Sequence, residues 1–505
     1  MKVFTVFEHG QCLHRALDGM PCKTYPIGLR LFAIGLVATL FLSISSSEAV
    51  LESNAFKHLA TYRGLGAVLS SMLGPGPTPG SEHLYQSYVH IGGTLEIVSI
   101  DQDKGEHKVF VSPVKSEQGA WAMAVGPDGN IYVGTLPGAH ILRLDPRTGK
   151  FTDMGRPSKT EQYIWQLALG FDKKLYGCTY PSAKIVRFDP TTGKGEDLGR
   201  MDPTEQYARS IAASDDGFVY TGIGTSKAHL VAYEIATGQY RDILPKKHQV
   251  TGTASVYHGD DGKVYGQVPK AHPLDKMGQH FRLEGWNAVP ISASESRREP
   301  SNRLKDGRIM QVADGIVRVR DPRTNSEVKH SFRYAGKEIN IFRLGLGPDR
   351  MLYASSVLPI SFFSVNPRDG NLNELGELGL GEFYSFLRHE GHLLGAAYGG
   401  KSPLMIYDPD KPFSPGKEPN ANPVLVDYKG QDDGWRPMAM LTGPGNKIYL
   451  GAMAGYGQLG GPLTVWDPAT NHVESFHHVV KDQSVVSLAV ANGMIVGGTS
   501  TRSFF

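Results

Sequence analysis

One unit recurs along this chain, and a recurring unit of this size constrains the fold more tightly than any single motif does. Gly119-Ala120-Trp121-Ala122-Met123-Ala124-Val125 is followed by Gly126-Pro127-Asp128-Gly129-Asn130-Ile131-Tyr132 and then by Ile141-Leu142-Arg143-Leu144-Asp145-Pro146-Arg147-Thr148-Gly149. About 44 residues later, a period typical of blade-like repeats, Ile164-Trp165-Gln166-Leu167-Ala168-Leu169-Gly170 leads to Ile185-Val186-Arg187-Phe188-Asp189-Pro190-Thr191-Thr192-Gly193. Further units begin near Ala208 and Thr253, and the pattern returns over residues 307–332, 341–375, 384–428 and 435–478. Between Lys270 and Glu299 it blurs, and residues 292–300 read as a polar surface excursion.

Each unit carries two turn signals. Pro127-Asp128-Gly129-Asn130, Asp215-Asp216-Gly217 and Asp260-Asp261-Gly262 supply the positive-φ glycine and side-chain-capped bend that a tight hairpin needs. Asp145-Pro146-Arg147-Thr148-Gly149 and its equivalents make a second hairpin. Two hairpins give four antiparallel strands, and four-stranded units repeated in series predict an all-β protein, a β-propeller of four-stranded antiparallel blades. The spacing implies about eight blades, with seven or nine also compatible. Trp466-Asp467 looks like the end of a WD repeat, but the equivalent positions hold Leu144-Asp145 and Phe188-Asp189, so the aspartate belongs to the turn.

The chain divides into residues 1–49 as a signal peptide, 50–83 as a lead-in and 84–505 as the propeller. Lys23 and Arg30 precede the apolar run from Leu31 to Leu42, and Ser47-Glu48-Ala49 fits a small-x-small cleavage pattern. Export to a secreted or periplasmic location follows, with an uncleaved anchor as the alternative; after cleavage no stable membrane span would remain. Residues 54–73 suit one amphipathic helix, and residues 74–80 are too rich in glycine and proline for regular structure. The stretch from Leu84 to Val111 then resembles a blade without its innermost strand. Either residues 485–490 supply that strand and close the ring, or the chain stops at Phe505 inside a longer propeller. Cys178 would be the only cysteine left after cleavage and reads as a small buried hydrophobe.

Gly126-Pro127-Asp128-Gly129-Asn130-Ile131-Tyr132 and Ile141-Leu142-Arg143-Leu144-Asp145-Pro146 resemble the broad superfamily of secreted propellers that includes NHL-repeat, SMP-30/gluconolactonase-like and virginiamycin B lyase-like proteins. The resemblance covers most of residues 84–500. Its motifs encode turns and strands, so it implies a fold and leaves the chemistry open.

Function is expected in the loops around the central channel. Trp121, Trp165, Tyr180, Tyr384, Tyr398, Trp435, Tyr456 and Gln458 are candidate ligand-binding residues, the last two in the glycine-rich loop 454–461 that no other unit matches. Tyr207, Arg209, His272 and Arg436 are candidate catalytic residues, as Tyr207 with Arg209 or His272 with Arg436. Together they would line one aromatic and cationic mouth suited to a saccharide or another small ligand. A binder is one reading. A polysaccharide lyase working by β-elimination, with a base beside a carboxylate and a cation to hold the enolate, is an alternative. A metal-dependent lactonase of the SMP-30 type is another, with Glu161 and Glu205 as candidate ligands to a divalent metal such as calcium. No cofactor motif is evident, so binder or enzyme stays undecided. The net charge of +2 offers no electrostatic case for nucleic acid, and nothing here constrains the oligomeric state.

Overall fold

The computed structural model describes residues 5–8, 58–269, 278–313, 315–379, 381–399, 404–427, 436–455 and 458–501. The proposed leader's apolar run lies outside these residues. Among the described residues, no helix is long and apolar enough to cross a membrane.

The chain is a β-propeller: an all-β protein built from successive small antiparallel sheets. The first five, A to E, have four principal strands each. They run Val68–Pro75 to His107–Val111, Gly119–Val125 to Phe151–Asp153, Tyr163–Leu169 to Lys194–Arg200, Ala208–Ala213 to Tyr240–Asp242, and Ser255–His258 to Asn287–Ile291. Blade F has three strands, Ile309–Ala313, Ile316–Arg320 and Glu327–Ser331. Blades G, H and I return to four, beginning at Arg343–Leu346, Gly381–His389 and Arg436–Thr442. Blade J is the hairpin Ser484–Ala491 and Met494–Ser500, with Thr5–Glu8 parallel to its second strand. Seven four-stranded sheets thus stand among the described residues, with D gaining a fifth short strand, Gly252–Thr253, beside one sheet of three strands, this last sheet and the short pair Arg63–Gly64 with Lys337–Glu338.

The turn chemistry works as the sequence implies. Tyr132, Tyr176, Tyr265 and Tyr353 each donate a hydroxyl hydrogen bond of 2.8–3.0 Å to the aspartate four residues earlier, Asp128, Asp172, Asp261 and Asp349. The ring lies over the glycine that opens the turn, so closely that a Cβ on Gly126 or Gly170 would meet it at 2.3 or 2.7 Å. In the second hairpin, Asp145 and Asp189 accept backbone N–H groups two and three residues on.

Apolar side chains on facing sheets interdigitate to form the cores between blades. Ala122, Ile141, Ile164, Leu175 and Phe188 join B to C, Tyr176, Ile185, Ile211 and Val231 join C to D, and Leu230, Val256, Phe281 and Leu283 join D to E. Blade F packs back onto A, through Met310, Val317 and Phe332 against Leu84, Val98 and Ile100. A second run links G to H through Phe362, Phe383 and Met405, and H to I through Leu394, Leu450 and Trp466. The segment 59–67 ties the runs together: Tyr62 stacks on Phe363 of G at 4.2 Å, and Ala67 N–H donates to Leu358 O at 2.9 Å.

Two expectations are corrected. Val68–Pro75 is the inner strand of blade A, where the sequence suggests a helix and an incomplete blade beginning at Leu84. Residues 485–490 therefore do not complete that blade; they pair with Met494–Ser500. The polar stretch 292–300 runs over the surface, largely exposed, and two backbone hydrogen bonds, Asp260 N–H to Arg297 O and Glu299 N–H to His258 O, hold it against blade E.

Candidate functional site

The first strands of neighbouring blades lie side by side, and most carry a one-residue irregularity at the same place. In blade B the pairing steps from Ala120↔Thr135 to Ala122↔Gly134, leaving Trp121 as an extra residue. The same step leaves out Leu69 in A, Trp165 in C, Arg209 in D, Tyr384 in H and Val486 in J. A bulge of this kind bends the strand and re-aims one side chain out of the alternation. The residue after it is free to bind the next blade instead: Gln166 Oε1 accepts from Ile211 N–H at 3.1 Å, and Ser210 Oγ accepts from Val256 N–H at 2.8 Å.

Loops leading into these bulges are locked by buried glutamates. Glu161 accepts from Thr179 Oγ1 at 2.7 Å and Ser182 N–H at 3.1 Å, while Glu205 accepts from Thr225 Oγ1 at 3.0 Å, Ser226 N–H at 3.2 Å and Lys227 N–H at 2.8 Å. Glu117 clasps Thr135 and Gly138 of blade B in the same way. Each carboxylate joins the approach loop to the crossing loop of its own blade, which accounts for the repetition of Glu-Gln-Tyr at 161–163 and 205–207. Their oxygens are thus committed to hydroxyl and backbone donors. Among the described residues, no three His, Cys, Asp or Glu side chains gather where they could hold a metal ion.

On this locked frame, blades B to D bring six side chains together. Trp121 and Trp165 rings are 5.3 Å apart; Trp165 is 5.5 Å from Tyr163 and 5.9 Å from Tyr207; Tyr180 lies 5.1 Å from Tyr163 and 4.6 Å from Tyr207. The Arg209 guanidinium sits 4.8 Å above Trp165 and 4.7 Å above Tyr207. Tyr180 and Tyr207 are buried beneath, Trp121, Tyr163 and Trp165 are half-buried, and Arg209 is exposed. Among the described residues, the Trp165 indole N–H has no acceptor. The result is a partly open aromatic shelf with a cation at one edge.

No protein-family model matches the chain, and no curated protein sequence matches it. Among solved structures it is similar to a streptogramin B lyase, at 14% identity over 58% of this chain and 94% of that one, with a TM-score of 0.35. It is also similar to the virginiamycin B lyase from Staphylococcus aureus, at 10% identity over 75% and 91% of the two chains and a TM-score of 0.25. The extracellular domain assigned to a one-component system of B. thetaiotaomicron matches at 11% identity over 87% and 71%, with a TM-score of 0.28. The resemblance is one of propeller fold and goes no further.

The remaining candidates fall elsewhere. Arg436, buried, donates from Nε to the Tyr384 hydroxyl at 3.0 Å and lies 4.4 Å over the Tyr398 ring. Tyr384 in turn donates to Glu382 at 3.1 Å, and burial raises the ionisation of both groups above the ordinary range. This second cluster belongs to blades H and I, so direct contacts gather the nominated residues into two groups. Gln458 is exposed on its loop. His272, Trp435 and Tyr456 lie outside the described residues.

A third polar cluster escapes sequence reasoning. Glu96 of blade A, buried, is bonded by the Tyr334 hydroxyl and Lys337, with His90 Nε2 3.5 Å away and 3.1 Å from the Tyr334 oxygen. Burial alone would raise its pKa, but the hydrogen bonds from His90, Lys337 and Tyr334 outweigh it and bring it down to about 2. Tyr334 also lines a cavity of about 570 Å³ between blades A and F, with Tyr88, Gln86 and Val312. Its members are nearly 240 residues apart in sequence, and no local pattern announces them.

Proposed function

We propose that this protein is an exported propeller that binds a saccharide on the aromatic shelf of blades B to D. The observation that carries the reading is the placement of Trp121, Trp165 and Arg209 at the bulge of three successive inner strands, their rings and guanidinium in mutual contact. Flat aromatic faces complement the C–H faces of sugar rings. Export rests on the leader pattern ending at Ala49.

Arg209 meets Tyr207 across the ring face, which holds the cation on the shelf. The test is titration of tryptophan fluorescence with a panel of neutral and acidic oligosaccharides. Saturable change in the wild type, weakened at least about tenfold, or 1.4 kcal/mol, by Trp165→Ala in a protein that melts normally, is the expected result. Binding that Trp121→Ala and Trp165→Ala leave unchanged would overturn the reading. Release of unsaturated uronate products would replace it with the lyase.

A further inference from the structure

We infer that Arg209 makes the shelf selective for acidic saccharides, receiving a carboxylate or sulfate oxyanion at its edge; this rests on the saccharide reading above. Several other arginines of the propeller are engaged by carboxylates. Arg187 is bonded to Glu196, Arg282 Nε to Glu284 at 2.5 Å, Arg308 Nε to Asp306 at 2.7 Å and Arg323 to Asp321 at 2.8 Å. Arg209, among the described residues, has no carboxylate partner, although it is exposed.

The carboxylates in its own neighbourhood are spoken for. Glu205, four residues earlier, is buried and accepts from the Ser226 and Lys227 N–H groups and from Thr225. Glu161 is closed by Thr179 and Ser182, and Lys184, the cation near it, is paired with Asp197 at 2.7 Å. The one unpaired charge on the shelf is therefore positive.

The aromatic contacts also hold that charge at the shelf. Trp165 and Tyr207 flank the exposed guanidinium, their ring centres 4.8 and 4.7 Å from it. A planar fork of N–H groups matches an oxyanion bidentately, and a cation already held against two rings loses less freedom when the ligand arrives. A sugar ring over Trp165 or Trp121 would place a ring substituent at that fork.

The experiment is calorimetric titration of the full chain with three oligosaccharides of similar length, one neutral, one of uronic acids and one sulfated. The wild type is expected to bind at least one acidic form about tenfold or more tightly than the neutral one, a difference near 1.4 kcal/mol. The preferred acid tells carboxylate from sulfate. Arg209→Gln, checked for an unchanged melting temperature, should erase the preference while retaining neutral binding, and Arg209→Lys should restore only part of it. Equal affinity for neutral and acidic forms, or a preference that survives in Arg209→Gln, would overturn the inference and leave the saccharide reading standing. Failure of all three ligands to bind would remove both.

Discussion

At the scale of single residues, the site depends on side chains whose work is structural. Glu161 is the clearest: its carboxylate takes hydrogen bonds from Thr179 and the Ser182 backbone, and so holds the loop that delivers Tyr163 and Trp165. Removing it strands buried donors, so Glu161→Ala should cost about 2–3 kcal/mol, read as a lower midpoint in urea unfolding. Affinity should fall as well, because the shelf loses its footing. An unchanged midpoint would show that the clasp is decorative. Gly170 gives a second test, since an added Cβ would meet the Tyr176 ring at 2.7 Å. Gly170→Ala should lower stability by about 1–3 kcal/mol through overpacking, whereas Gly129→Ala, in open space, should show only the smaller cost of its positive φ.

At the scale of elements, turns were legible and bulges were not. Aspartate and glycine at fixed offsets mark hairpins because few residues tolerate those backbone angles, so the strands of blades B to D could be placed from the residues alone. A bulge is a slip of one residue in pairing, and nothing in Ala120-Trp121-Ala122 distinguishes it from regular alternation. Trp121, Trp165 and Arg209 could be nominated from their chemistry, but their equivalence emerges only from the pairing register. The strand Val68–Pro75 was missed for the opposite reason: its final Gly74-Pro75 and the turn beyond read as breakers, yet proline is tolerated at a strand end. In blade F the first strand has shrunk to a short pairing of Arg303 with Ile309, which is why the repeat fades just before it.

At the scale of the whole molecule, packing order could not be read from the repeat. F packs against A, and by direct contact the nominated residues gather in blades B–D and in H–I. The A–F junction includes Glu96, and it gives a prediction about acid. Its folded pKa of about 2 lies below the ordinary carboxylate value, so its contribution to stability is complete above about pH 4.3 and is lost as pH falls toward 2. Glu96→Gln should flatten the loss of stability across that window, measured by denaturant midpoints at successive pH values. A slope identical to the wild type would place the acid-sensitive contact elsewhere.

The account stands or falls on where a sugar rests. A crystal structure of the protein soaked with an acidic oligosaccharide should show sugar rings against Trp121 and Trp165 with an oxyanion at Arg209. Clear density seated only at the Tyr384–Arg436 cluster, or in the cavity beside Tyr334, with the shelf empty, would contradict it.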